Sequence, residues 1–205
     1  MMLRLIGPLL CVALSVGCGP RETRLNIVAF PDGQAVQNFS ERFDTGTFNH
    51  DAHHNLTLAF QLDDADPMDP ASPTSAPTDA GPTPPISQTV MIEMFWQPRP
   101  GITYVESTQT NATLTYCLQR GPDAIRYKGA GFVYLTKQTD HRIEGRIESS
   151  SLTPAGQVGT PRDLFGRCRL TGTFQADHHP RRTIDAALRL RRLFAAPNPA
   201  TTGQP

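Results

Sequence analysis

Arg142-Ile143-Glu144-Gly145-Arg146-Ile147-Glu148 carries a charged side chain at every second position, with Ile143, Gly145 and Ile147 between them. Successive side chains of an extended chain point to opposite faces, so this period of two sorts the residues into a wet face and a dry one. The same alternation runs through Leu56-Thr57-Leu58-Ala59-Phe60-Gln61-Leu62, where Leu56, Leu58, Phe60 and Leu62 share a face. Both segments read as strands of a sheet with one face buried.

Outward from these two, the first of which extends over Arg142 to Ser149, further strand candidates are Leu25 to Phe30, Thr89 to Trp96, Ile102 to Glu106, Ala112 to Leu118, Ile125 to Thr136 and Arg169 to Ala176. Pro98 and Pro100 close the second of them. Residues 31–50 read as turns around Pro31-Asp32-Gly33, with Phe39, Phe43 and Phe48 as loop plugs. The last segment, Thr183 to Leu193, fits two templates. Ile184, Ala186, Leu188 and Leu190 alternate as a strand would, while Ile184, Ala187, Leu188 and Arg191 could share a helix face. Alternation favours a strand that closes the sheet.

The 205 residues include 19 prolines and 16 glycines, which interrupt the chain too often for long helices. A hydrophobic content of 38% supplies one core. The expected fold is therefore all-β, an antiparallel β-sandwich or barrel-like domain over residues 24–194. Asp63 to Ser87 differs in kind, with seven prolines among Ala, Ser, Thr and Asp. Strand-like sequence resumes directly after it, so residues 63–87 read as a long disordered insertion inside one domain. Residues 195–205 have no apolar pattern and read as a flexible tail.

Met1-Met2-Leu3-Arg4 supplies a positive charge, and Leu5 to Val16 is an apolar run interrupted by Gly7, Pro8 and Ser15. A spanning helix needs about 20 residues, so this run reads as a signal peptide over residues 1–17. It ends in Leu14-Ser15-Val16-Gly17-Cys18, which resembles the lipobox of bacterial lipoproteins. Val16 and Gly17 fit that pattern, and Ser15 stands where a branched aliphatic residue is usual. The resemblance implies acylation of Cys18, which becomes the mature N-terminus, and a tether over residues 18–23. It also implies attachment to the cell envelope, with the outer membrane of a Gram-negative bacterium as the family destination. Ala13-Leu14-Ser15 and Ser15-Val16-Gly17 equally satisfy ordinary signal peptidase, which would leave a soluble exported chain.

Cysteine parity bears on that choice. Cys11 leaves with the leader, and acylation of Cys18 leaves Cys117 and Cys168 as a pair for one disulfide. Such a bridge would close a loop of about 50 residues and add roughly 4 kcal/mol in the loop-entropy model. The strand parities conflict with it: Cys117 falls on the polar parity of its segment and Cys168 on the apolar parity of its own.

The formal net charge is zero, but residues 18–119 carry 4 basic and 12 acidic side chains, and residues 120–194 carry 14 and 7. No overall basic character recruits nucleic acid. Arg181-Arg182 and Arg189-Leu190-Arg191-Arg192 form the densest basic group. Close to a membrane, such a group can meet anionic headgroups or an anionic envelope polymer. Five of the six histidines, His50, His53, His54, His178 and His179, form two clusters that could supply imidazole ligands for zinc or copper. Their spacing matches no compact ligand signature, and exposed loop histidines are the simpler account. Nucleophile elbows, phosphate loops and zinc-protease helices are missing. The expected function is a noncatalytic binding or structural module of the envelope, held by a lipid anchor and facing another envelope protein or polymer. A periplasmic metal-binding protein is the alternative, and a hydrolase the third reading.

Overall fold

The computed structural model describes residues 22–31, 35–65, 86–95 and 110–195. The leader, Cys18, residues 66–85 of the insertion, the Ile102 to Glu106 segment and the tail from residue 196 lie outside the described residues. Nine strands and one helix are described: β1 Thr23–Phe30, β2 Gln37–Phe43, β3 Thr45–His50, β4 Leu56–Ala65, β5 Ile86–Met94, β6 Ala112–Arg120, β7 Asp123–Gln138, β8 Arg142–Val158, β9 Arg167–His178 and α1 Pro180–Ala195.

The fold is all-β and closes into a barrel. Strands β3 to β9 follow one another as antiparallel neighbours, and β9 then pairs with β3. Seven strands that alternate in direction leave the first and last running the same way, so this seam is parallel. It consists of Thr47↔Asp177 and Phe48↔His178. Over the rest of that edge β1 intervenes, antiparallel to β9 from Arg24↔Thr173 to Phe30↔Arg167, and β2 pairs with the far side of β1. The other edge of β9 pairs with β8. Gly172 lies opposite Leu25 on one side and Ile147 on the other, at φ +143°, where an added Cβ would run into the β1 backbone.

The barrel interior holds one continuous core that includes Ile27, Phe48, Leu58, Phe60, Ile92, Leu114, Val133, Leu135, Ile143, Leu170 and Phe174. Leu56, Leu58, Phe60 and Leu62 all face inward, as their alternation requires. Phe165, from the β8–β9 connection, is fully buried against Tyr116 and Tyr127 at ring distances of 5.7 and 5.4 Å. Asp163 holds this plug: its Oδ1 accepts from Tyr127 Oη at 2.6 Å, Phe165 N at 3.1 Å and Gly166 N at 2.9 Å. Tyr116 Oη donates to Gln88 Oε1 at 2.6 Å, so the phenols are buried with partners. A ring of this size is narrow enough for side chains to fill.

Three expectations are corrected. Residues 37–43 and 45–50 are strands rather than turns. In β2, Phe39, Glu41 and Phe43 share a parity, and the carboxylate between the rings hides the apolar period. β8 continues past Ser149 to Val158, because a register shift between Ile147 and Leu152 moves the buried parity from odd to even positions. Thr183 to Leu193 is helix, not a closing strand. Pro180 takes the first helical position, where its missing N–H costs nothing, and Thr183 N donates to His179 O at 3.0 Å. The buried set is Thr183, Ala186 and Leu190, a helical spacing that separates Leu190 from the exposed Leu188. The sheet needs no closing strand because β3 already closes it.

Asn111 shows how a side chain extends a ladder. Its buried amide donates to Val133 O and accepts from Val133 N, each at 2.8 Å. Asn111→Ala strands both groups of Val133 and should cost about 2–4 kcal/mol, read as a lowered denaturant midpoint at unchanged slope. A midpoint within error of the parent would contradict this assignment.

Candidate functional site

With the interior filled, the surface worth attention is the outside of the barrel where α1 lies. A second, smaller core forms there from Ala59, Met91, Cys117, Ala186 and Leu190, with Ala187, Leu193 and Phe194 packed against it. The helix is pinned at its start by a 3.0 Å hydrogen bond between the hydroxyls of Thr183 and Thr47. Near its end, Phe194 stacks under the Arg126 guanidinium at 4.6 Å.

The outward side of α1 is cationic. Arg181, Arg182, Arg189, Arg191 and Arg192 are all exposed, and Asp185 is the helix's one acid. Ile184 and Leu188, a turn apart, are 48% and 38% exposed among them. Arg181 and Arg182 occupy the first turn, which carries no acid. Cations there oppose the positive end of the helix dipole. Local helix stability therefore does not account for them.

Beside α1 a groove of about 130 Å³ opens onto the outer face of β5, β6 and β7. Its lining combines Arg126, Lys128 and Arg191 with Glu93, Thr115, Met91 and Leu190. Lys128 is the cross-strand neighbour of Thr115, and Arg126 that of Cys117, so β6 and β7 fix the spacing of the two cations.

The sequence placed Cys117 and Cys168 as a possible disulfide, and here the structure corrects it: both are free and buried. Cys168 belongs to the barrel interior and Cys117 to the outer core beneath α1, so the sheet itself lies between them. The conflict of strand parities is the physical reason. Burial pushes both thiols up to about 12, which keeps them protonated and unreactive. Alkylation of the denatured chain should therefore tag both cysteines without prior reduction, as peptide mapping would show; a Cys117–Cys168 linked peptide would contradict the placement.

The histidines divide. Asp51-Ala52-His53-His54-Asn55 forms the tight β3–β4 turn, in which Asp51 Oδ1 accepts from His53 N and Asn55 N, each at 2.8 Å. His54 takes a left-handed conformation at φ 61°. The motif is thus turn chemistry, and the side chains of His53 and His54 are exposed. His50 and His178 meet in a second cleft with Phe48, Gln138, Thr139 and Asp140. Their rings flank Phe48 at 5.7 and 5.1 Å. His179 is exposed and tied by its backbone N–H to Phe48 O at 3.1 Å. His141, outside both sequence clusters, joins this region by accepting from His178 N at 2.9 Å. Among the described residues, no group of three or more His, Cys, Asp or Glu side chains is placed to hold a metal.

Burial holds His50 below its ordinary value of 6.5, with His178 and His54 adding to the effect and Asp51 and the His54 backbone opposing it. The folded chain thus takes up this proton at lower pH than the unfolded one. Its contribution is complete above about pH 6.5 and is lost as pH falls through the folded value. Melting temperatures measured from pH 7 downward should fall less steeply for His50→Gln than for the parent; parallel curves would exclude His50 as a source of the acid sensitivity.

No protein family, curated protein or solved structure matches this chain. The described residues form a closed β-barrel with a plugged interior and a cationic helix across its outside.

Proposed function

We propose that the chain is an exported envelope lipoprotein, anchored by acyl chains on Cys18, whose barrel is a noncatalytic binding module working next to the membrane. The observation that carries this reading is the outer face of α1, where two exposed aliphatic residues stand among five arginines. A basic face with exposed aliphatic side chains suits an anionic headgroup layer or envelope polymer.

Chain geometry supports it. The Thr23 hydroxyl bonds Gln175 through both its backbone groups at 3.1 Å, so the start of β1 lies five residues from the start of α1, at the same end of the barrel. Five residues separate Cys18 from Thr23, a reach of at most about 17 Å. An acylated Cys18 would therefore hold the first-turn arginines of α1 close to the bilayer. Only the leader resemblance bears on acylation itself, and the helix face bears on what the anchored domain meets.

Intact mass of the membrane-fractionated protein should show a diacyl or triacyl increment on Cys18. A soluble species beginning at Val16 or at unmodified Cys18 would refute the anchor. A photo-crosslinker at Leu188 should label lipid or envelope polymer in whole cells and lose most of that label in the R181E/R182E/R189E variant. Labelling that charge reversal leaves unchanged would remove the helix face from the reading.

A further inference from the structure

We propose that the groove beside α1 is a discrete binding site for a phosphate-type anion, gripped by Arg126, Lys128 and Arg191. This goes beyond a general attraction of the helix face for anionic surfaces, because it assigns a bounded site with cations from two different elements. Arg126 and Lys128 are two apart on β7, and Arg191 reaches the groove from the last two turns of α1. Three cations against Glu93 leave the lining with a surplus of two positive charges. None of the three forms an ion pair with a carboxylate among the described residues.

Arg126 supplies the second observation. One of its terminal nitrogens donates to Ala155 O at 3.2 Å and its guanidinium is stacked on Phe194. Its Nε is buried and has no hydrogen-bond partner among the described residues. A guanidinium fixed by these contacts is preorganised, and the part of it that lines the groove can meet the oxygens of a phosphate. Thr115 adds a hydroxyl between the two strands' contributions, and Met91, Ala187 and Leu190 give the groove an apolar side for the carbon skeleton of an ester. The volume of about 130 Å³ leaves room for a phosphate group.

Glu93 sharpens the assignment. It is exposed at the groove and would repel a bound phosphate. Its neutralisation should strengthen binding, an effect that a merely structural role for the groove would not produce.

The shared chemistry is a phosphate monoester, presented either by a lipid headgroup or by a soluble compound. The test uses the full mature protein in neutral detergent, titrated calorimetrically with inorganic phosphate against chloride of matched ionic strength. A second arm measures binding to neutral vesicles with and without a lipid bearing a terminal phosphate monoester. The parent should bind at least one probe, Lys128→Met and Arg191→Gln should each weaken that binding by about tenfold, and Glu93→Gln should tighten it by about threefold. Both cation substitutions fall at exposed positions, so the melting temperature without ligand should stay near that of the parent. Binding of inorganic phosphate points to a soluble ligand, and binding confined to the phosphate-bearing vesicles points to a lipid headgroup. Failure of both probes, or binding that ignores Lys128 and Arg191, overturns the site.

Discussion

Ring closure with an odd number of alternating strands is the constraint from which the other features follow. Seven strands that reverse direction at each step must bring β3 and β9 together in parallel. A parallel pair has slanted hydrogen bonds and is slightly less stable per residue than an antiparallel one. Here it is confined to two residue pairs, and the β1–β2 hairpin occupies the remaining edge of β9 with an antiparallel ladder of seven. β2 and β3 are separated by Asp44 alone, so they behave as one bent strand that leaves room for β1 at one end and closes the barrel at the other. Chain direction thus dictates the wedge, and the wedge gives β9 partners on both edges.

Once closed, the barrel has little interior left to use. Phe165 plugs it against Tyr116 and Tyr127, and the Asp163 carboxylate fixes the plug through three donors. Burial, then the adjacent Asp163, holds the Tyr127 phenol well above its ordinary range, so it stays a hydrogen-bond donor. The second core lies on the outside, where a stretch of β4, β5 and β6 carries the apolar outward residues Ala59, Met91 and Cys117. Those side chains need a cover, and α1 supplies it with Ala186 and Leu190.

The sequence reading succeeded where one face is uniformly apolar and failed where tertiary context decides. In β4 and the first half of β8 the large apolar residues keep a period of two, and their inward faces are the expected ones. β2 was hidden because Glu41 occupies an inner position. Burial raises its carboxyl, with Gln88 as its hydrogen-bond partner, and a local pattern cannot anticipate a carboxylate accommodated in that way. In α1 the alternation of Ile184, Ala186, Leu188 and Leu190 was coincidental, and Pro180 after Asp177-His178-His179 was the better signal. The histidine clusters were visible as residue types, yet Asp51 and Asn55 turn one of them into a hairpin loop. The Arg126, Lys128 and Arg191 constellation spans some 65 positions and has no local signature, so it becomes apparent only when the β7 register and the helix placement are both known.

The helix joins these threads. A cover for Ala59, Met91 and Cys117 needs apolar residues on one side and asks nothing of the other, where Glu and Lys pairs would serve stability best. Instead α1 carries five arginines and no lysine or glutamate, with two arginines set against its own dipole. Local rules broken in this manner are expected where function competes with stability. The cost is small, a few tenths of a kcal/mol to about 1 kcal/mol per unfavourable terminal charge, and a closed barrel with partners on both edges of β9 can carry it. The rigid barrel thereby carries a helix whose exposed side is strongly cationic and is not composed for the helix's own stability.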